Sequence, residues 1–179
     1  MSQLEAPTNM EITNVNVNEL ITTMGHELID KQISNKRKPA KVIGIKTGGV
    51  WIADRICDML DTPEGPGQLN IAYYRDDFDT IGLHPKVEPS RLNFEIDNQH
   101  IILVDDVIFT GRTIRAAMNE LFDFGRPQSI TLMCLIDREK RELPINPDIL
   151  GIKVFIPNEK DIKLTGPSPL KLELFDSKR

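Results

Sequence analysis

Two adjacent carboxylates, Asp105 and Asp106, precede Val107-Ile108-Phe109 and then Thr110-Gly111-Arg112-Thr113. The two halves of this stretch suit opposite chemistries. Ionised carboxylates only accept hydrogen bonds, so they fit vicinal sugar hydroxyls better than phosphate oxygens. Threonine hydroxyls donate, and a glycine lets main-chain N–H groups come close to a ligand. A sugar phosphate satisfies both halves, with its hydroxyls on the acids and its phosphate in the Thr/Gly loop.

The elements that must position these groups are legible on either side. Ile101-Ile102-Leu103-Val104 reads as a buried parallel strand, while Ile114, Ala117, Met118, Leu121 and Phe122 recur at helical spacing on one face. The first helical turn is expected at Thr110 to Thr113, with Gly125 in a left-handed position at the end and Pro127 beyond it. A helix start offers free N–H groups and a positive dipole end to an anion. The acids would stand at the carboxyl end of their strand, where open α/β sheets form the ligand crevice. Two solvated aspartates at a plain strand end would have no use for Thr-Gly-Arg-Thr, and neither would the two-Asp pocket of a phosphoryl-receiver domain. The pattern occurs once more upstream. Lys41-Val42-Ile43-Gly44-Ile45 reads as a strand and Lys46-Thr47-Gly48-Gly49 as a glycine loop. A helix follows to about Leu60, with Ala53, Ile56, Cys57 and Leu60 on one face. Taken alone, such a loop is common in α/β proteins.

Length and composition bound the rest. The 179 residues fit one domain with a sizeable core. No apolar run approaches the roughly 20 residues that cross a bilayer, and no secretory leader is visible. Cys57 and Cys134 lack metal-ligand spacing and read as core residues of a reducing compartment, the cytoplasm. A net charge of −5 and a pI near 5.3 do not favour nucleic acid in bulk. Residues 1–15 read as a loose arm, followed by a helix from about Val17 to Ser34 with Leu20, Ile21, Met24, Leu28 and Ile29 on one face. His26, within it, reads as a packed or solvated helix histidine. Leu69 to Tyr74, Thr131 to Ile136, Ile152 to Val154 and Leu170 to Leu174 read as strands, and Leu143 to Pro147 as a turn. Asp79 to Asn93 has no periodicity, and loops of that length are commonly functional or disordered.

Residues Ile101 to Thr113 resemble the signature by which type I phosphoribosyltransferases bind 5-phosphoribosyl-1-pyrophosphate (PRPP). Lys46 to Gly49 then resembles their pyrophosphate loop, in which members often hold a non-proline cis peptide. A wider set resembles the PyrR family, uracil phosphoribosyltransferases that also regulate the pyrimidine operon through messenger RNA. It comprises Ile43 to Gly49, Tyr74-Arg75-Asp76-Asp77, Val104 to Thr113, Asp123 to Pro127, and Ile136-Asp137-Arg138 through Arg141-Glu142-Leu143-Pro144-Ile145. The likeness covers roughly Asn18 to Val154, and Arg-Glu-Leu-Pro-Ile is its most specific part.

The resemblance implies an α/β phosphoribosyltransferase fold over residues 1–179, with a mostly parallel central sheet, flanking helices, a small hood and a mobile flap at 76–93. It implies PRPP on Lys46, Thr47, Gly48, Gly49, Asp105, Asp106, Val107, Ile108, Phe109, Thr110, Gly111, Arg112 and Thr113. Arg75, Asp105 and Asp106 would be the catalytic residues, with Lys86, Arg91 and His84 as further flap contacts to pyrophosphate. Uracil would lie near Val107, Ile108 and Asp137-Arg138, though a salt-bridged structural arginine reads nearly as well. Mg²⁺ would be held through PRPP and water without direct protein ligands, and the products would be UMP and pyrophosphate. A homodimer or larger homo-oligomer and a pyrimidine-leader RNA are the implied partners, with no membrane. An RNA-binding attenuator that senses UMP or PRPP with little or no catalysis is the alternative.

Three residue choices narrow or qualify this reading. Purine enzymes of the class carry Asp two residues before the loop glycine, where this chain has Phe109, which argues against hypoxanthine or guanine as acceptor. Gly48 stands where well-known PyrR members carry Arg. Their first helix is also rich in Arg and Lys, whereas residues 1–30 here contain neither. The basic residues that remain nearby or on the base side are Lys31, Lys36, Arg37, Lys38, Lys140 and Arg141.

Overall fold

The computed structural model describes residues 12–34, 39–71 and 88–177. Helix α1 (Val17–Ser34) buries Val17, Ile21, Met24 and Leu28, with Leu20 and Ile29 at its margins. Its start is capped conventionally. Asn16 Oδ1 accepts the Glu19 N–H at 3.3 Å, and Glu19 places an acid in the first turn. His26 is exposed on the outer face. Ile12 is fully buried, and its carbonyl accepts the Val15 N–H at 3.2 Å. Packed structure thus begins inside the segment expected to be a loose arm, of which residues 1–11 lie outside the described residues.

The sheet is built from β1 (Lys41–Ile45), β2 (Gly67–Leu69), β3 (His100–Ile108), β4 (Ser129–Asp137) and β5 (Ile149–Lys153). Its order is β2-β1-β3-β4-β5, and every pairing is parallel. From β1 the chain passes outward through α2 (Gly48–Leu60) to β2. It then returns to the opposite side of β1 as β3 and continues through α3 (Arg112–Phe124) to β4. That reversal makes the space between β1 and β3 the topological switch point, where open α/β sheets take their ligands. It also puts α2 and α3 on opposite faces, since parallel crossovers share one hand. The core divides accordingly. Val42, Ile102, Val104 and Met133 pack with α1 and α2, whereas Ile43, Ile45, Ile101 and Leu103 pack with Ile114, Ala117 and Leu121 of α3. Burial on both faces is why these strands read as continuous apolar runs.

A separate antiparallel hairpin, β6 (Lys160–Thr165) and β7 (Lys171–Asp176), forms the hood. It directs Ile162, Leu164, Leu170 and Leu172 into the α1/α2 core. Its tip holds cis peptides at Gly166-Pro167 and Ser168-Pro169, and Arg55 of α2 donates from Nη2 to Pro167 O at 3.5 Å.

Several sequence expectations shift here. The Leu170–Leu174 alternation is strand β7, but its partner β6 was not anticipated. Helix α3 starts at Arg112 rather than Thr110, because Gly111 is left-handed at φ 92°. Gly125 is extended at φ 158° and ψ −177°, not left-handed helical. There Asp97 Oδ1 accepts the Arg126 N–H at 2.6 Å and ends the helix in place of a glycine turn. Phe122, assigned to the apolar face of α3, is 55% exposed. Strand β2 lies earlier than Leu69 to Tyr74, whose last three residues lie outside the described residues. Strand β5 begins at Ile149, not Ile152.

Candidate active site

Strands β1 and β3 flank the switch point, and each runs into a helix whose start is left bare. Neither Thr47 before α2 nor Gly111 before α3 makes a side-chain cap hydrogen bond, and neither first turn carries an acid. The N–H groups of a helix start have no intrahelical acceptor and need a partner from elsewhere. In α1 that partner is Asn16. In α3 the first helical bond runs from Arg115 N–H to Gly111 O at 3.0 Å, and Thr110 Oγ1 accepts only the Arg112 N–H, at 3.2 Å. The Thr113 and Ile114 amides are left for an outside acceptor. In α2 the first turn closes from Val50 N–H to Thr47 O at 3.2 Å, ahead of which lie the Gly48 and Gly49 amides.

The α2 loop is pressed against β3. A Cβ on Gly49 would lie 2.4 Å from Val104 O, and one on Gly48 would lie 2.5 Å from Asp106 Oδ2 and 2.6 Å from its Cγ. Only glycine permits either approach. The Lys46-Thr47 peptide is cis, as the family resemblance implied for this loop. The Lys46 N–H donates to Leu69 O at 2.8 Å, and its ammonium lies 2.6 Å from Glu88 Oε2. That hydrogen bond and charge hold the exposed Glu88 carboxyl below its ordinary range. Just beyond, Gln68 and Arg91 exchange main-chain hydrogen bonds of 2.7 and 2.8 Å, so the returning chain lines the edge of β2.

The two acids differ. Asp105 is 1% exposed, and its Oδ1 accepts the Asp106 N–H at 3.0 Å; it neighbours Cys134 across the β3–β4 ladder. Asp106 is half-buried and lies over Gly48, on the strand that leads into α3. Val107 is half-buried, and the Ile108 side chain sits in the α3 core while its carbonyl accepts the Arg138 N–H at 3.1 Å.

On the base side, Asp137 is buried, with Oδ1 accepting the Glu139 N–H at 2.7 Å and Oδ2 at 2.8 Å from Arg141 Nη2. Buried Arg138 stacks 4.3 Å above the Phe109 ring, pairs with Asp161 and donates to Lys160 O at 3.0 Å. It therefore ties the end of β4 to the hood. Arg112 is paired with Glu142 at 2.7 Å. Arg75, His84 and Lys86 lie outside the described residues, as do Lys36, Arg37 and Lys38. Sequence reasoning did not single out Glu88 or Asp161, which no local pattern marks. It quoted Arg141 and Glu142 only within a family motif.

Among the described residues, no three His, Cys, Asp or Glu side chains gather as a metal cage, and no helix is long and apolar enough to cross a membrane.

Residues 12–164 match the phosphoribosyl transferase domain family. The chain is 50% identical over 161 residues to the bifunctional protein PyrR of Pseudomonas syringae pv. tomato, covering 89% of this chain and 92% of that protein. It is 54% identical over 136 residues to the PyrR of Pseudomonas fluorescens, covering 76% and 81%. The chain belongs to the PyrR family of phosphoribosyltransferases. Among solved structures, a hypoxanthine phosphoribosyltransferase from Staphylococcus aureus shares the fold at a TM-score of 0.57. The two are 21% identical, and the match covers 79% of this PyrR-family chain and 76% of the other.

Proposed function

We propose that this PyrR-family chain is a uracil phosphoribosyltransferase, making UMP and pyrophosphate from uracil and PRPP. The observation that carries the reading is the pair of uncapped, acid-free helix starts after β1 and β3, with Asp106 of β3 against the first of them. Two bare anion sites about one carboxylate match a ribose that carries phosphate at one end and pyrophosphate at the other. The match to the phosphoribosyl transferase domain family supports a phosphoribosyl donor.

In this reading the amides at Thr110 to Thr113 hold the 5-phosphate, and those of Thr47 to Gly49, with Lys46, hold the pyrophosphate. Asp106, steadied from below by buried Asp105, takes the ribose hydroxyls. The C1–O bond to pyrophosphate breaks, its electron pair leaves with pyrophosphate, and uracil N1 bonds to C1 while its proton is lost to solvent. Oxocarbenium-like charge on the sugar is stabilised by the nearby carboxylates. Uracil is placed at the ends of β3 and β4, near Val107, the main chain of Ile108, and Asp137-Arg138. Because Asp137 and Arg138 already have protein partners, they shape this end of the pocket, and base recognition falls chiefly to the main chain. Mg²⁺ would be held through PRPP oxygens and water, as this ion commonly is, and would neutralise pyrophosphate charge. Arg75 and the 76–93 flap complete the site in this reading, and the two buried, unpaired cysteines are in keeping with a reducing cytoplasm.

The regulatory role that the family resemblance implies is the second reading. Helix α1 offers it little: Lys31, its one cation, is already paired with Glu27 at 2.7 Å and donates to Asp148 O at 2.6 Å. RNA affinity scales with phosphates neutralised and falls steeply with salt. Pyrophosphate release with PRPP, Mg²⁺ and a panel of bases tests the enzyme, and uracil-dependent release supports it. PRPP binding with no pyrophosphate release on adding any of the bases would leave a sensor in its place. Titration with a pyrimidine-leader hairpin at two salt concentrations tests the second role, which a weak, salt-insensitive response dismisses.

A further inference from the structure

The Arg-Glu-Leu-Pro-Ile segment has no place in the chemistry above, yet it lies directly behind the loop that would hold the 5-phosphate. Arg141 is largely buried and reaches three acceptors on three segments. Its Nη1 donates to Phe109 O at 2.7 Å, its Nε donates to Ile145 O at 2.8 Å, and its Nη2 lies 2.8 Å from Asp137 Oδ2. The next two amides, of Glu142 and Leu143, both donate to Thr110 O, at 3.0 and 3.2 Å. The Glu142 carboxylate then pairs with Arg112. From the other side, the positions of Leu143 and Ile145 leave a Cβ on Gly111 only 3.4 and 3.6 Å from theirs. Carbonyls of two consecutive loop residues, Phe109 and Thr110, are thus fixed from outside. Fixing the carbonyls fixes the peptide planes whose N–H groups face the opposite way.

We propose that Arg141 is a positioning residue of the phosphate loop, holding its amides in the orientation that receives the 5-phosphate. This rests on the phosphoribosyl-transfer reading. A planar guanidinium can serve all three acceptors at once, whereas an ammonium on a flexible stem cannot hold the same fan of directions. Arg141 also pairs with Asp137 at the end of β4.

Arg141→Lys keeps the charge beside Asp137 and loses the fan. We expect its KM for PRPP, and its Kd for ribose 5-phosphate by calorimetry, to rise at least tenfold. The KM for uracil should change less than threefold, and free guanidinium should restore part of the PRPP affinity of Arg141→Ala. A fall in kcat with both Michaelis constants unchanged, or a rise confined to uracil, overturns the proposal. Should neither variant fold, the wild-type protein decides. Saturation with ribose 5-phosphate should slow hydrogen exchange at the Glu142 and Leu143 amides, and unchanged protection refutes the assignment. Failure of the wild-type chain to turn over PRPP with any base would instead remove the reading on which the proposal rests, while ribose 5-phosphate binding and exchange still report on Arg141.

Discussion

Replacing Gly48 by alanine adds a single methyl group at the point where the pyrophosphate loop meets Asp106. That Cβ would lie 2.5 Å from Asp106 Oδ2, 2.6 Å from Cγ and 2.9 Å from Cβ, whereas ordinary contact begins at 3.4 Å. The carboxylate must therefore retreat by about 0.9 Å, from the difference between 3.4 and 2.5 Å. The overlap reaches the Asp106 Cβ, so turning the carboxylate about its last bond does not relieve it. Misplacing a reacting or positioning group by about 1 Å can cost roughly a hundredfold in rate, or about 2.7 kcal/mol of transition-state stabilisation. Helix propensity acts the other way, since alanine in place of glycine favours a helix by up to about 1 kcal/mol. The expected variant remains folded in urea, the helix gain offsetting part of the clash, with kcat/KM for PRPP down about a hundredfold in a continuous pyrophosphate-release assay. Arginine at 48, the residue found in well-known relatives, begins with the same Cβ and should not rescue activity in this chain. Activity at or above the wild-type level in Gly48→Ala would refute the placement of Asp106 over the loop.

Asp106→Asn keeps the shape and removes the charge, so turnover should fall by roughly 10²–10³ with urea unfolding little changed; full activity would remove Asp106 from the ribose site. Thr113→Glu puts a carboxylate into the acid-free first turn of α3. It should stabilise the fold by about 0.5 kcal/mol through the helix dipole and weaken ribose 5-phosphate binding at least tenfold in calorimetry. Burial, reinforced by the Asp105 carboxylate, pushes the Cys134 thiol well above its ordinary range. A raised folded-state pKa contributes stability below the unfolded thiol's value of about 8.5, and the contribution fades as pH climbs beyond that value. Urea unfolding should therefore show a loss approaching 1.4 kcal/mol per pH unit above that point, shallower in Cys134→Ala; equal slopes in the two proteins would contradict it.

What was legible in the sequence was whatever repeats locally. The buried run Ile101 to Val104, the acids after it and the spacing of Ile114, Ala117 and Leu121 are each fixed by neighbours in the chain, and all three stand in the structure. The hood was half legible. Leu172 and Leu174 alternate cleanly, but the matching Ile162 and Leu164 of β6 are flanked by Lys160, Asp161 and Lys163, so the strand is hard to tell from a charged loop. Phe122 falls on the helical period yet is exposed, because α3 is covered by the sheet over a narrower arc than its apolar residues span. Contacts across the fold left no local trace. Nothing near Gly48 announces that Asp106, 58 positions later, occupies the place of its absent side chain. Likewise Pro144 marks a turn but not the brace that Arg141 makes from it.

The bare helix starts carry the functional argument because they run against stability. An N-cap side chain that makes no bond forfeits up to about 1 kcal/mol, and glycine in that position forfeits a few tenths, against the roughly 5–15 kcal/mol that keeps a domain folded. This chain has the means to avoid that cost, since Asn16 and Glu19 serve α1 in the ordinary way. It omits cap and acid at α2 and α3, the two helices that start at the switch point of the sheet. Stability alone gives no reason for the omission to coincide with the crevice. An anion that binds there does, because a carboxylate in either first turn would compete with it. The same logic accounts for Asp105 and Asp106 standing on the neighbouring strand rather than in the helices, since an acid in β3 reaches the sugar without blocking the amides that take its phosphates.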